Sequence, residues 1–293
     1  MDAGQSGVRT RLGGVLLPEL RGVRTSAPVI PQLAAVARAV LETVDLPVDS
    51  LAVGSTALRP GTSADELLAY VADLGVTKVA LAHDSVTSHL GALRGRRGAI
   101  VAAGTGCVAF AVGTSAVARV DGWGNIVGDA GSGFGIGRTA IDAVLRAHDG
   151  RGPETALTEA IEPGFADLEA AYLDIQNDAG YVQRVAAYAK TVADLADTDQ
   201  VCADIIDQAA AELALSAVTA LRRVGEDDSP MTFVAKQGKL FLGQRLSAQF
   251  DALVHQAVPS AMAVPPQGDS LDGASQLFGL PEDSPLRAQV SYA

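Results

Sequence analysis

Sulfur and aromatic rings are scarce in this chain. Two cysteines, Cys107 and Cys202, stand among 293 residues. They form no C-x-x-C pair and no zinc spacing, which argues against a disulfide framework and a Cys-ligated metal site and fits a reducing cytoplasm. Aromatics make up 4% of the chain and there is one tryptophan, so the core is built from Ala, Val and Leu. Bases are outnumbered by acids, 22 to 34, for a net charge of −12. That argues against nucleic acid as a partner, because binding phosphates along a duplex needs a basic face. No basic stretch followed by an apolar run opens the chain, so no signal peptide is expected. Residues 98–118 carry no charge and are long enough to cross a bilayer. Glycines and Thr105, Thr114 and Ser115 break them into "AIVAA" and "VAFAV". These read as two buried strands joined by a tight glycine turn, and no membrane contact is expected.

What remains is an alternation of strand and helix patterns. Residues 33–45 have helical spacing, "SLAVGS" reads as a strand, and "SADELLAYVADLG" is a helix with a Ser cap and a glycine stop. "KVALAHD" is a strand ending on an acid. After the two glycine-linked strands comes "GWGNIVGDAGSGFGIG" (122–137), then "RTAIDAVLRAHDG" as a helix ending at Gly150. Residues 155–224 are wholly helical in pattern, and "MTFVAKQGKLFL" returns to strand. A proline-rich loop, a short helix in "DSLDGASQLFG" and a polar tail follow. The pattern is α/β with a helical insertion, and "GALRGRRG" marks a boundary near residues 90–98. The block at 155–224 offers a surface for a homodimer.

Four stretches carry chemistry. Asp2, Gly4, Ser6 and Gly7 make an acidic, glycine-rich turn whose N–H groups can wrap phosphate oxygens, with an acid beside them for a hydrated Mg²⁺; a plain polar terminus is the other reading. Gly104-Thr105-Gly106 follows an apolar strand. It matches G-x-G-x-x-A, a dinucleotide fingerprint, but that motif needs a following helix. "CVAFAVG" reads as strand, so the turn is a β-hairpin clamp, for phosphate or for nothing but the hairpin. Asp84 ends an apolar strand, where α/β proteins place their chemistry. It can take a proton from a substrate hydroxyl, or Asp84 or Ser85 can simply cap the next helix. His83 and His89 read as ordinary polar residues. In the fourth stretch Gly122 and Gly131 belong to a run of seven glycines. Glycine loses the most backbone entropy on folding, so such a run implies close approach to a ligand. Trp123 offers a flat face and Asp129 two acceptors, as a sugar needs. "GSG" then opens a helix whose N–H groups face the site. A buried tryptophan under a flexible loop is the alternative.

Taken in order, Asp-x-Gly-x-Ser, the acid after the next sheet segment, "AGTG" and "GWGNIVGDAGS" resemble the N-acetylglucosamine kinase branch of the BadF/BadG/BcrA/BcrD ATPase group, within the sugar kinase, Hsp70 and actin superfamily. The resemblance covers roughly residues 1–280. It implies a two-lobed, actin-like fold of ribonuclease H type, with ATP and a sugar in the cleft between the lobes. It implies lobes over 1–95 and 96–280 and a polar tail over 281–293. By position, Asp2, Gly4, Ser6 and Gly7 belong to the first phosphate loop, Asp2 lying near Mg²⁺. Gly104, Thr105 and Gly106 form the second. Asp84 is the general base on the sugar 6-hydroxyl. Gly122, Trp123, Asp129 and Gly131 lie in the sugar site, and Gly238, Gly273 and Ala274 near adenosine. The implied activity is ATP-dependent phosphorylation of N-acetylglucosamine or glucosamine in the cytoplasm.

Two departures touch the ATP side. Relatives place an apolar strand before the Mg²⁺ acid, so Asp2 is expected on a frayed end. They also place a Gly-Gly pair where Lys236 and Gln237 stand, so a shifted loop and weak ATP binding are expected. Both favour a sugar-binding or regulatory homologue as the second reading. A dehydratase activator is the third; it would need clustered thiolates that two distant cysteines supply poorly. A dehydrogenase is the residue of the G-x-G-x-x-A match.

Overall fold

The computed structural model describes residues 1–43, 47–59 and 61–293. By contact the chain divides into two units. One holds Met1–Ile100, Phe110–Ala118 and Pro265–Ala293; the other holds Val101–Ala109 and Arg119–Val264.

The first unit begins with β1 (Asp2–Ala3), β2 (Gly7–Arg9), β3 (Arg11–Leu12), β4 (Val15–Leu16) and β5 (Leu20–Arg21), then α1 (Val29–Leu41). The spacing predicts that helix over 33–45. It starts earlier because Pro31 falls in its first turn, where the missing N–H costs nothing; positions 44 and 45 lie outside the described residues. Next come β6 (Ser50–Ser55), α2 (Ala64–Val71), β7 (Lys78–His83) and α3 (Asp84–Leu93). Ser63 caps α2, its side chain accepting from the Asp65 N–H. β7 is apolar and buried from Val79 to Ala82, between the exposed Lys78 and the half-buried His83, as a strand covered on both faces should be.

β8 (Gly98–Ala103) and β9 (Cys107–Val112) are the two strands foreseen in the uncharged stretch, and β10 (Val117–Asp121) adds a third. All three supply residues to both units. The second unit then runs through α4 (Gly133–His148), α5 (Leu157–Ile161), α6 (Ala171–Asn177), α7 (Tyr181–Leu195), α8 (Gln200–Val224), β11 (Thr232–Gln237), α9 (Gln244–Ala257) and β12 (Ala261–Val264). The chain returns to the first unit with α10 (Ser270–Ala274) and β13 (Val290–Tyr292). Among the described residues no helix is long and apolar enough to cross a membrane.

The six-stranded sheet has the order β13-β7-β6-β1-β2-β5, and the five-stranded sheet β10-β9-β8-β11-β12. β1, β6 and β7 are parallel, with Ala3 paired to Ser55 and Ser55 to His83. One line of the sheet therefore carries Ala3, Ser55 and His83. The turn after β1 and Asp84 after β7 leave the sheet at the same carboxyl edge, the edge where such sheets bind ligands.

Three expectations are corrected. Asp2 is not on a frayed end: β1 lies between β6 and β2, and the Met1 ammonium is buried, donating to the Ala52 carbonyl at 2.8 Å. Burial holds that amine down at about 6, with Asp2 pulling the other way. The polar tail expected over 281–293 is folded onto the first unit. β13 pairs antiparallel with β7, Val290 against Ala82, and the Tyr292 hydroxyl donates to the Leu277 carbonyl at 2.8 Å. Three residues are too few for alternation to show in sequence. The strand in "MTFVAKQGKLFL" stops at Gln237, and Lys239–Leu242 form a 3-10 turn.

Candidate functional site

In the first unit the Asp2 carboxylate is only 13% exposed and Arg9 holds it. Nε and Nη2 of Arg9 both donate to Asp2 Oδ2, at 3.1 and 2.6 Å. The same guanidinium reaches Asp269 Oδ2 at 2.5 Å and Ser270 Oγ at 3.1 Å, so it ties β1 to the start of α10. Sequence reading missed Arg9. Its only signal is a base on the alternate position of a strand that is too short to recognise. Gly4 begins the turn after β1, its N–H donating to the Gly7 carbonyl at 3.0 Å, with Ser6 exposed at the tip.

Asp84 is the first residue of α3, and neither it nor Ser85 caps the helix. His83 does, its ring nitrogen accepting from the Ser85 N–H. The Asp84 carboxylate is thereby left off the cap. Its partner is His83 Nδ1 at 2.9 Å. The histidine is thus no bystander: one ring nitrogen lies between the Ser85 N–H and the Asp84 carboxylate.

Gly273 and Ala274 are expected near adenosine. The space a side chain on Gly273 would need is filled by α3: a Cβ there would lie 1.8 Å from the Thr87 carbonyl oxygen. Gly91 is its counterpart, its Cβ falling 1.8 Å from the Asp269 carbonyl. The close approach these glycines serve is between α3 and α10, and Ala274 is buried beside them.

The second unit gathers the remaining motifs. The Gly104–Gly106 turn is closed by Gly104 N–H on the Gly106 carbonyl at 2.8 Å. It is docked on α4: the Gly133 N–H donates to the Gly104 carbonyl at 2.8 Å, and the Phe134 N–H to that of Thr105 at 3.0 Å. Ser132 Oγ takes the Gly135 N–H. The helix therefore begins at Gly133, inside the glycine run, where "GSG" was expected to open it. Its first N–H groups are spent on the turn, so they do not face a ligand as expected.

Asp129 sits against this turn. A Cβ on Gly106 would be 2.7 Å from Asp129 Oδ2. Asp129 is 8% exposed, with a left-handed backbone at φ 58. Its carboxylate accepts backbone N–H bonds from Cys107 and Gly124, yet burial still raises its proton affinity above the ordinary carboxylate range. A cavity of 390 Å³ opens beside it, walled by Phe134, Ile136, Ile205 and Ala209 with Arg138 and Glu212. Gly131 packs on the Ala209 carbonyl of α8. Trp123 lies outside that wall and is 63% exposed, with the Arg119 guanidinium 4.8 Å over its ring. It is not the buried tryptophan of the alternative reading. Gly122, ahead of it, is left-handed against Val108.

Lys236 and Gln237 stay within β11, and neither is left-handed. The residue that needs glycine is Gly238, at φ 110, where a Cβ would strike the Ala103 carbonyl at 2.0 Å. Lys236 turns toward α9: Nζ donates to Asp251 at 2.6 Å and Ser247 Oγ at 2.7 Å. The two large side chains thus force no left-handed strain. Both cysteines are free and buried. Burial raises both thiols, Cys202 to about 12. Such thiols are poor sources of the thiolates an iron–sulfur cluster requires.

Known proteins resemble this chain in sequence and in fold. The profile of the BadF/BadG/BcrA/BcrD ATPase family matches residues 31–275. The chain is 29% identical over 206 residues to the N-acetylmuramic acid/N-acetylglucosamine kinase of Clostridium acetobutylicum, a match spanning 67% of this chain and 66% of that protein. Over 65 residues it is 40% identical to the N-acetyl-D-glucosamine kinase of Dictyostelium discoideum, covering 22% of this chain and 20% of the relative. Among solved structures, one assigned as an N-acetylglucosamine kinase of Chromobacterium violaceum superposes with a TM-score of 0.71 at 25% identity, over 93% of this chain and 95% of its own.

Proposed function

Because the chain belongs to the BadF/BadG/BcrA/BcrD ATPase family, we propose that it is an ATP-dependent kinase that phosphorylates the 6-hydroxyl of an amino sugar, N-acetylglucosamine or glucosamine. One observation carries the reading. Within the second unit the buried Asp129 carboxylate rests against the Gly104–Gly106 turn. A group fit to accept from sugar hydroxyls and a turn fit to cradle phosphate therefore share one place, as transfer between the two ligands demands.

Phosphoryl transfer asks a protein for positioning and charge balance more than for covalent work. Asp84, left off the helix cap, accepts the proton of the attacking hydroxyl. The sugar oxygen then bonds to the terminal phosphorus of ATP as the bond to the bridging oxygen breaks, and ADP leaves with that electron pair. Asp129 holds ring hydroxyls, with Trp123, Gly122 and Gly131 forming the loop around the sugar. Gly4, Ser6, Gly7, Gly104, Thr105 and Gly106 cradle the phosphates, and the nucleotide passes Gly238.

Asp2 would hold Mg²⁺. Arg9 uses only its Oδ2, which leaves Oδ1 for a ligand. No cluster of three or more acidic, His or Cys side chains suited to a metal occurs among the described residues. Mg²⁺ commonly binds through one carboxylate, waters and substrate phosphate, so a single acid fits it. Bound there, it would neutralise phosphate charge.

The test is a small panel of hexoses with ATP and Mg²⁺, ADP release being followed for the chain and for Asp84→Asn. The expected result is turnover on an amino sugar at an ordinary enzyme rate of about 1–10³ s⁻¹. The variant should be slower by roughly 10²–10⁴-fold, the span of a positioned base. No turnover on any hexose, or an Asp84→Asn variant near the parent rate, overturns the reading.

A further inference from the structure

Asp121 closes β10, one residue ahead of the glycine loop, and its backbone is left-handed at φ 59. Its carboxylate works in two directions. Oδ1 accepts the Asp129 N–H at 2.8 Å and faces the Trp123 N–H at 3.5 Å. Oδ2 accepts the Ala130 N–H at 2.9 Å and the Cys107 thiol at 3.8 Å. One side chain thus ties together both ends of the loop and the strand behind it. Gly128 leaves room for the tie: a Cβ there would lie 2.6 Å from Asp121 Oδ1 and 2.6 Å from Trp123 Cβ.

The consequence reaches Asp129. A non-glycine residue rarely holds a left-handed backbone unless its surroundings impose it. The N–H groups of Asp129 and Ala130 point at one carboxylate, so the peptide planes on both sides of Asp129 are fixed. Those planes decide where the Asp129 side chain projects. Cys107 supports the same arrangement from β9, its one thiol proton lying between Asp121 Oδ2 and the nearer Ala130 carbonyl, 3.1 Å from the sulfur.

We propose that Asp121 is a positioning residue for sugar recognition, setting the Asp129 carboxylate against the Gly104–Gly106 turn without itself touching the sugar. The assignment rests on the reading of Asp129 as a sugar acceptor. It predicts a particular split. Removing the tie frees the loop before the sugar binds, so the lost order is restored at the expense of sugar affinity. Groups that act on the phosphates are untouched.

The experiment compares Asp121→Ala, Asp121→Asn and Asp129→Ala with the parent chain. KM for N-acetylglucosamine, KM for ATP, kcat at saturating sugar and thermal midpoint are measured for each. For Asp121→Ala the sugar KM should rise by roughly tenfold to a hundredfold, the range for losing hydrogen bonds to a charged acceptor. ATP KM should stay within about twofold and kcat within about threefold, margins well inside what one such bond is worth. Asp121→Asn keeps one acceptor oxygen and the same shape, so it should recover part of the loss. Should Asp121→Ala fail to fold, the Asn variant decides alone: a raised sugar KM at a near-parental midpoint supports the assignment, and an unchanged KM overturns it. Sugar and ATP KM rising together with a lower midpoint also overturn it, since that is general loosening. The parent reading fails separately, if Asp129→Ala leaves the sugar KM unchanged; a raised KM in Asp129→Ala with none in Asp121→Ala sinks only the present assignment.

Discussion

Asp129 shows how burial sets the conditions under which a side chain works. The carboxylate is shielded from water, and this raises its proton affinity. In its proposed role as an acceptor for sugar hydroxyls it offers both oxygens only when ionised. Sugar affinity should therefore begin to fall on the acid side above the ordinary carboxylate range, where an exposed aspartate would still be charged. Asp129→Asn should lose roughly ten- to a hundredfold in sugar KM, as for a charged hydrogen bond, and should lose the acid limb as well. KM for sugar and for ATP, followed across a pH series from neutral into acid, separates the two effects. An acid limb that survives in Asp129→Asn would assign it to another group. Trp123→Ala should cost less, because the ring is mostly in water and Arg119 already covers one face. The sign for folding runs opposite to that for binding. A raised native value means the folded chain takes up its proton first, so Asp129 works against stability at neutral pH and the strain eases as pH falls through that value.

At the scale of elements, α3 and α10 are in backbone contact through Gly91 and Gly273. Either Gly→Ala change puts a methyl where a carbonyl oxygen stands, and the helices must separate. Overpacking of this kind costs about 1–3 kcal/mol. Gly273→Ala and Gly91→Ala should each lower the thermal midpoint by several degrees. Gly279→Ala, which has open space around it, should stay within about 0.5 kcal/mol of the parent. Equal midpoints for all three would remove the contact from the account. These helices also mark what sequence could tell. β6, α2, β7 and the β8–β9 turn were legible because their apolar periods and turn residues are local. "GSG" marked the start of α4, but not where its first N–H groups go. Glycine-rich residues 133–137 are poor helix formers, and the N–H groups of Gly133 and Phe134 are accepted by the carbonyls of Gly104 and Thr105, nearly thirty positions earlier in the chain. Lys236 was misread for a similar reason: its partners Ser247 and Asp251 lie on the next helix, and only folding shows the side chain turning there. Arg9 and β13 escaped notice because two- and three-residue strands carry no period.

Over the whole molecule, two buried bases make stability depend on pH. The Met1 amine is held at about 6 by burial, against about 8 when exposed in the unfolded chain. Between these values the unfolded chain binds the proton more readily, so stability rises with pH across the window. His89 does the same lower down, at about 4 against an ordinary value near 6.5, because its ring is buried against Phe110 with the Gly98 carbonyl as the sole compensation. Unfolding free energy of the chain beginning at this Met1 should thus fall as the pH drops from 8 to 6, by at most about 3 kcal/mol for a shift of two units, and fall again toward 4. The sheet supplies a way to separate the windows. Asp2 pairs with Gly54, so in parallel register residues ahead of Met1 would run beside Ser50–Ala52, the stretch of β6 that the Met1 amine reaches through the Ala52 carbonyl. A short apolar extension at the N-terminus would continue β1 there and carry the amine out into water. Denaturant unfolding of the extended chain should be flat between pH 8 and 6, while the slope below 6 remains. Replacing His89 by Gln should flatten the lower window and leave the upper one. A slope between pH 8 and 6 that persists in the extended chain would show that a group other than the Met1 amine is titrating.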